Sequence, residues 1–216
     1  MRRRKVGSIP AKADIEAQEQ FLQTNLQPRL DQAVTGRRTV LFVDAAHFVW
    51  GPFLGYVWCL VRLFVKAPAG RQRYNVLAAL DAVTHQMYRV CNVGYINAES
   101  VCALLRQVAQ AVPGRVTLVM DNARYQHCAL VMELAKSLRI ELLFLPGYSP
   151  NLNLIERVWK FVKKECLASR YLSNFADFTR AIDNCLDQLP TAHKAKMRTL
   201  LTLNFQTFVD EPFIAA

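Results

Sequence analysis

Between residues 32 and 155 the acids are Asp44, Asp81, Glu99, Asp121, Glu133 and Glu141. Two of them share a setting. In "LFVDAAH" and "LVMDNAR" an aspartate, Asp44 or Asp121, ends an apolar run that reads as a β-strand. There the sheet anchors the backbone while the carboxylate projects from the edge. An unpaired carboxylate beside apolar neighbours is costly, so it calls for a cap, a cation or a metal ion as partner. A third acid, Glu156 in "SPNLNLIERVWKFVKKE", enters a stretch of helical periodicity just after a turn signal. Two or three convergent carboxylates suffice for Mg2+, which needs oxygen ligands and keeps several waters. Paired ions in such a site activate an attacking oxygen and stabilise the leaving one in phosphoryl transfer. Taken singly, each Asp could instead cap the loop that follows it, and Glu156 could form a plain helical ion pair with Lys160. Asp81 fits a structural role, because in "LAALDAVTHQMY" it opens a hairpin turn, where Asp bonds the backbone two residues on.

The elements needed to bring these acids together follow from the pattern around them. "TVLFVDAAHF" is a short buried strand, and "RYNVLAALDAVTHQMYRVCNVGYI" reads as two antiparallel strands joined at "DAVTHQ". "NAESVCALLRQVAQAVPG" is a helix with a start at Asn97 or Ser100 and a Pro-Gly stop. "RVTLVMDN", "CALVMELAKSLR" and "IELLFLP" then alternate strand, helix, strand, which implies parallel strands with a crossover helix. The turn "GYSPN" leads into the Glu156 helix, with Asn151 or Asn153 as candidate cap and Ile155, Val158, Trp159 and Val162 toward the core. Upstream, residues 11–36 read as a helical extension outside the core, kinked at Pro28 and stopped at Gly36. Downstream, "NFADFTRAIDNCLDQL" and "KAKMRTLLTLNFQTF" read as two more helices. The aromatic run after "HF" takes no clear element, and Trp50, Tyr56 and Trp58 within it are expected in the core.

At 216 residues, 52% hydrophobic and 20% charged, the chain suits one sizeable core with extensions. Its net charge of +10 points to a polyanionic partner, since clustered Lys and Arg gain affinity by releasing counterions from phosphates. The six cysteines are scattered and pair into no zinc or redox motif. Arg62 and Lys66 interrupt the most hydrophobic stretch, and no apolar run follows "MRRRKVGSIP", so neither a membrane span nor a signal peptide is expected. A cytoplasmic protein is the expectation.

"FVDAAHF", "MDNARYQHC" and "LPGYSPNLNLIERVWKFVKKE" resemble the three catalytic blocks of bacterial insertion-sequence transposases related to the mariner elements, within the retroviral-integrase superfamily. The third block is the most specific, with Leu-Pro, Tyr-Ser-Pro, Asn-Leu and Glu-x-x-Trp in order. The resemblance covers roughly residues 38–170. It implies an α/β, RNase H-like domain with a mixed five-stranded sheet, three antiparallel strands then two parallel, flanked by helices. On that basis residues 1–37 are a basic linker and helix, 38–170 the catalytic domain and 171–216 a C-terminal helical extension. The resemblance implies a DDE transposase in which Asp44, Asp121 and Glu156 bind two Mg2+ ions, with Mn2+ as substitute. Such enzymes cut element ends in double-stranded DNA and join them at TA-containing targets, and a homodimer on DNA at the bacterial nucleoid is implied with it. Here Ala45 stands where relatives often have a second acid. The helix-turn-helix domains of complete relatives find no room ahead of "MRRRKVGS", which points to a catalytic half served by a separate helix-turn-helix protein from an upstream frame, or to a decayed remnant.

Around this triad Asn122 is expected to orient Asp121 or a water on it. Arg157, Lys160, Lys163 and Lys164 are expected to hold DNA phosphates, as are Arg71 and Arg73 in "KAPAGRQRYN". His47 reads as a packing or turn-bonded residue. Two other functions fit the same fold: an RNase H-like nuclease without strand transfer, and a DNA-binding remnant that only interferes.

Overall fold

A five-stranded sheet in the order β3-β2-β1-β4-β5 carries the molecule; the computed structural model describes residues 9–54, 58–66 and 71–208. β1 (Thr39–Val49), β2 (Arg73–Asp81) and β3 (Met87–Asn92) run antiparallel, and β4 (Val116–Met120) and β5 (Ile140–Phe144) join in parallel on the other side of β1. This is the expected sheet. The β2–β3 turn is closed by Asp81, whose carboxylate accepts the N–H groups of Val83 and Thr84, each at 2.8 Å. Asp81 is therefore structural, as its turn context indicates.

Helices cover both faces, because β1 alternates apolar residues on its two sides. Leu41 and Val43 pack with α3 (Ala98–Ala111) and α4 (Ala129–Ser137). Asn97 caps α3 in a reciprocal box with Ser100, which satisfies N–H groups that a helix start leaves orphaned. Val40, Phe42, Ala46 and Phe48 face the other layer, which holds α2 (Gln27–Val34), α5 (Ile155–Val162) and α6 (Phe175–Asp187). Asn174 caps α6 through the Asp177 N–H at 2.8 Å.

Three expectations change. The N-terminal helix is built into the core, with Leu26 and Leu30 fully buried against the sheet. It runs as α1 (Ile15–Phe21), a π turn over Leu22–Leu26, and α2, so the chain passes Pro28 through a widened turn ahead of it. Gly36, at φ +72°, turns the chain into β1. At the C-terminal end the second helix, α7 (Lys194–Leu200), stops early, and residues 201–208 run on without helix or strand. Carbonyls there that a helix would bond internally are taken by Arg157 instead. Of the three aromatics expected in the core, Trp50 packs there and donates to the Leu172 carbonyl at 3.2 Å. Trp58 is fully exposed, because residues 58–66 pack on neither core layer. Tyr56 lies outside the described residues.

Candidate active site

Asp44 lies in mid-strand, not at a strand end. β1 runs five residues past it and pairs it with Ala78 on β2, but on the opposite side the pairing with β4 stops at Phe42 and Val119. β4 ends at Met120. Continuing that parallel register by two residues sets Asp44 beside Asp121, on the same face of the sheet. The exposed edge of β1 begins where β4 gives out, and both aspartates stand at that step.

α5 supplies the third acid. The turn 147–154 crosses the end of the sheet and is fastened there by Asn153, whose amide nitrogen donates to the Val43 carbonyl at 3.1 Å. That carbonyl is next to Asp44, where β1 has lost its β4 neighbour. The Glu156 N–H bonds back to the Asn153 carbonyl at 3.2 Å, so the first turn of α5 starts from this anchor. Neither Asn151 nor Asn153 caps the helix; Leu154 occupies the cap position without a side-chain bond. Asn151 instead bonds Gln18 of α1 and the Gln206 carbonyl, each at 2.9 Å, holding the turn from outside.

Asp44, Asp121, Asn122, Asn153 and Glu156 line one cleft of about 330 Å³. Burial, reinforced by the negative charge of Glu156 and more weakly of Asp121, pushes the Asp44 carboxyl up to about 7, against the lowering hydrogen bonds from Ala45 and Trp159. Desolvation also raises Asp121, opposed by the N–H of Ala123 at 3.3 Å. Among the described residues no three His, Cys, Asp or Glu side chains stand close enough to close on a metal ion as they are. The donor set nevertheless fits one: it is all oxygen, its members repel each other, and a hard divalent cation would relieve both that repulsion and the desolvation of Asp44.

Trp159, read from its spacing as a core residue, has a second role. It packs edge-on to Phe48 at 6.1 Å, but its indole N–H also reaches the Asp44 carboxylate at 2.9 Å. Helical spacing puts this ring on the buried face of α5, and the Glu-x-x-Trp element marks it as specific. The acceptor it meets is visible only in three dimensions.

The other expected residues divide. Asn122 lines the cleft, but its amide oxygen pairs with His127 at 2.7 Å, and that imidazole lies tilted against Phe144 with ring centres 4.4 Å apart. Its contact is thus with His127 rather than with Asp121. Arg157 is engaged within the protein: its guanidinium donates to the carbonyls of Leu200, Thr202 and Asn204 at 2.7–3.1 Å and lies over the Phe205 ring. It holds the C-terminal segment, because Glu156 and Arg157 point to different sides of the helix. Lys160, Lys163 and Lys164 are exposed on and just beyond α5, and no ion pair joins Lys160 to Glu156 among the described residues. Arg71 and Arg73 are exposed at the start of β2 and line a different cleft, with Tyr95 and Phe175. His47 is on the opposite face of β1 from Asp44, bonded to the buried Asn75 at 2.7 Å.

A family described as DDE superfamily endonuclease matches residues 39–179. None of the curated proteins matches significantly. Among solved structures, the chain is similar to the Mos1 strand transfer complex, with 16% identity over 95% of this chain and 68% of that one, at a TM-score of 0.61. The Mos1 mariner paired-end complex with Mn aligns at 15% identity over the same shares, TM-score 0.62. The catalytic domain of Mos1 mariner transposase aligns over 92% of this chain and all of that one, with 14% identity and a TM-score of 0.53. At these identities the likeness is one of fold, the RNase H-like sheet and helices described above.

Proposed function

The chain belongs to the DDE superfamily endonucleases, and from that premise we propose that it is the catalytic domain of a DNA transposase, cutting insertion-sequence ends and joining them to TA-containing target DNA. The observation that carries this reading is the meeting of Asp44, Asp121 and Glu156 on one cleft, from β1, the end of β4 and the first turn of α5. The solved structures of like fold include Mos1 strand transfer and paired-end complexes and forms with Mn and Mg, which supports the same direction for this chain.

Asp44, Asp121 and Glu156 would hold two Mg2+ ions, with Mn2+ as substitute; when bound, such ions activate the attacking oxygen and stabilise the departing one. The chain's own residues do the rest. Trp159 keeps the Asp44 carboxylate turned to α5, and the Asn153 anchor keeps Glu156 beside the β1 edge. Lys160, Lys163 and Lys164 offer ammonium groups to phosphates passing the Glu156 face, and Arg71 and Arg73, on a separate cleft, offer a second basic surface. A homodimer would bring two element ends together, with a separate helix-turn-helix protein recognising the terminal repeats. We take 38–170 as the segment that carries the catalytic residues, with α2, α6 and α7 completing its core from either side in sequence.

Nicking of supercoiled plasmid tests the chemistry. With Mg2+ or Mn2+ the chain should nick, and Asp121→Ala should lose more than about 100-fold in rate, since even outer partners of a metal site are worth about 10- to 100-fold. Joining of a pre-cut element end separates a transposase from a simple nuclease. A chain that binds DNA but never cuts, with any divalent ion, is a remnant and not an enzyme.

A further inference from the structure

Asn153 holds an atom that the fold leaves unused. The Val43 carbonyl can only accept a hydrogen bond, so the group facing it must be the Asn153 amide nitrogen, and the amide oxygen is turned the other way. The residue is 5% exposed, it lines the cleft with Asp44, Asp121 and Glu156, and its Oδ1 has no protein partner among the described residues. A buried carbonyl oxygen without a partner is rare in a folded protein, because it has given up water for nothing. Amide oxygens are, however, ordinary ligands of hard cations, and they add a donor without adding to the repulsion among carboxylates.

We propose that Asn153 supplies a fourth, uncharged oxygen to the cation held by Asp44, Asp121 and Glu156, directly or through one of its waters. The proposal rests on the metal-binding reading above. The same side chain then has two separate duties: its nitrogen fastens the Glu156 turn to β1, and its oxygen serves the cation. They are separable by substitution. Asn153→Ala removes both. Asn153→Asp keeps an oxygen of the same reach and adds charge at that position, but it sets an acceptor against the Val43 carbonyl and so loosens the turn.

Calorimetric titration of Mn2+ into the full chain, below the unfolding temperature, reads the cation directly without any DNA reaction. Asn153→Ala should bind Mn2+ at least about tenfold more weakly. Asn153→Asp should melt at a lower temperature without metal, yet bind Mn2+ as tightly as the original chain or more so. Asn151→Ala, which releases the same turn on its outer side, should lower the melting temperature and leave Mn2+ affinity within about twofold. Unchanged affinity in Asn153→Ala would overturn the proposal, as would an equal loss in Asn153→Ala and Asn151→Ala. A tenfold loss in Asn153→Asp would reduce Asn153 to a fastener, and this arm stands even where Asn153→Ala does not fold. Should the original chain itself bind no Mn2+, or Asp121→Asn bind it equally well, the metal-binding reading falls and takes this proposal with it.

Discussion

Trp159 and Glu156 share one short helix, yet the indole N–H ends on the carboxylate of a strand residue 115 positions away in sequence. With the bond from the Ala45 N–H, it orients Asp44, whose burial and neighbouring negative charge both disfavour the ionised form. Trp159→Phe should keep most of the packing on Phe48 while removing the donor. We expect a stability loss of about 1–2 kcal/mol in urea unfolding and a fall of roughly tenfold or more in the rate of metal-dependent nicking, with DNA affinity unchanged. Full nicking activity in this variant would show that the ring only packs. Residue type is legible in the sequence here, and so is the buried face. The partner is not, because helical periodicity locates a side chain around its own axis and says nothing about which strand lies beneath it. Arg157 gives the converse case: a basic residue next to the candidate acid Glu156 invites a DNA role, and the tertiary fold gives its guanidinium three backbone carbonyls instead.

Elements at the edges of the sheet are held by charge as well as by apolar packing. Glu141 of β5 accepts from Arg29 of α2 at 2.5 Å and from Thr117 of β4 at 2.7 Å, and it pairs with Arg38 ahead of β1. The Arg29 bonds, with Thr117 and the Arg38 charge behind them, hold its carboxyl at about 2, below the ordinary 4.5. A carboxyl depressed in the folded state stabilises at pH values above its unfolded pKa, and that contribution is lost as pH falls through the folded value. The clamp should therefore be complete above about pH 4.5 and gone near pH 2. Glu141→Gln should cost about 1–2 kcal/mol at pH 7 after allowance for partial exposure, with the difference vanishing toward pH 2 in denaturant titrations. A constant difference across that range would exclude the ion pairs as its source. The N-terminal helix reads from its sequence as an extension, because only its apolar spacing is local; the clamp that seats it joins Glu141 to arginines 112 and 103 positions away.

Across the whole molecule, a net charge of +10 matters only if it gathers where a polyanion passes. Lys160, Lys163 and Lys164 stand exposed on and just beyond the helix that carries Glu156, and none of them is in an ion pair among the described residues. Replacing all three with Ala should weaken duplex binding with little dependence on base sequence, and flatten the plot of log affinity against log salt by about 0.9 for each phosphate no longer neutralised, up to roughly 3. An unchanged slope would move the DNA track elsewhere, toward Arg71 and Arg73. The strand and helix order, and with it the sheet, were written in local signals: apolar runs of strand length, helical spacing, the Asn97 cap and the Asp81 turn. The three acids were legible there as candidates for holding a hard cation, with loop caps and a helical ion pair open beside that reading, whereas the mid-strand place of Asp44 was not. What only the tertiary structure decided is how they are held together. β1 runs seven residues past its last pairing with β4, and that step exposes a strand edge, frees the Val43 carbonyl for Asn153, and brings α5 over Asp44. Strand lengths and hydrogen bonds between distant segments depend on the packing of the whole sheet, and no local pattern carries them.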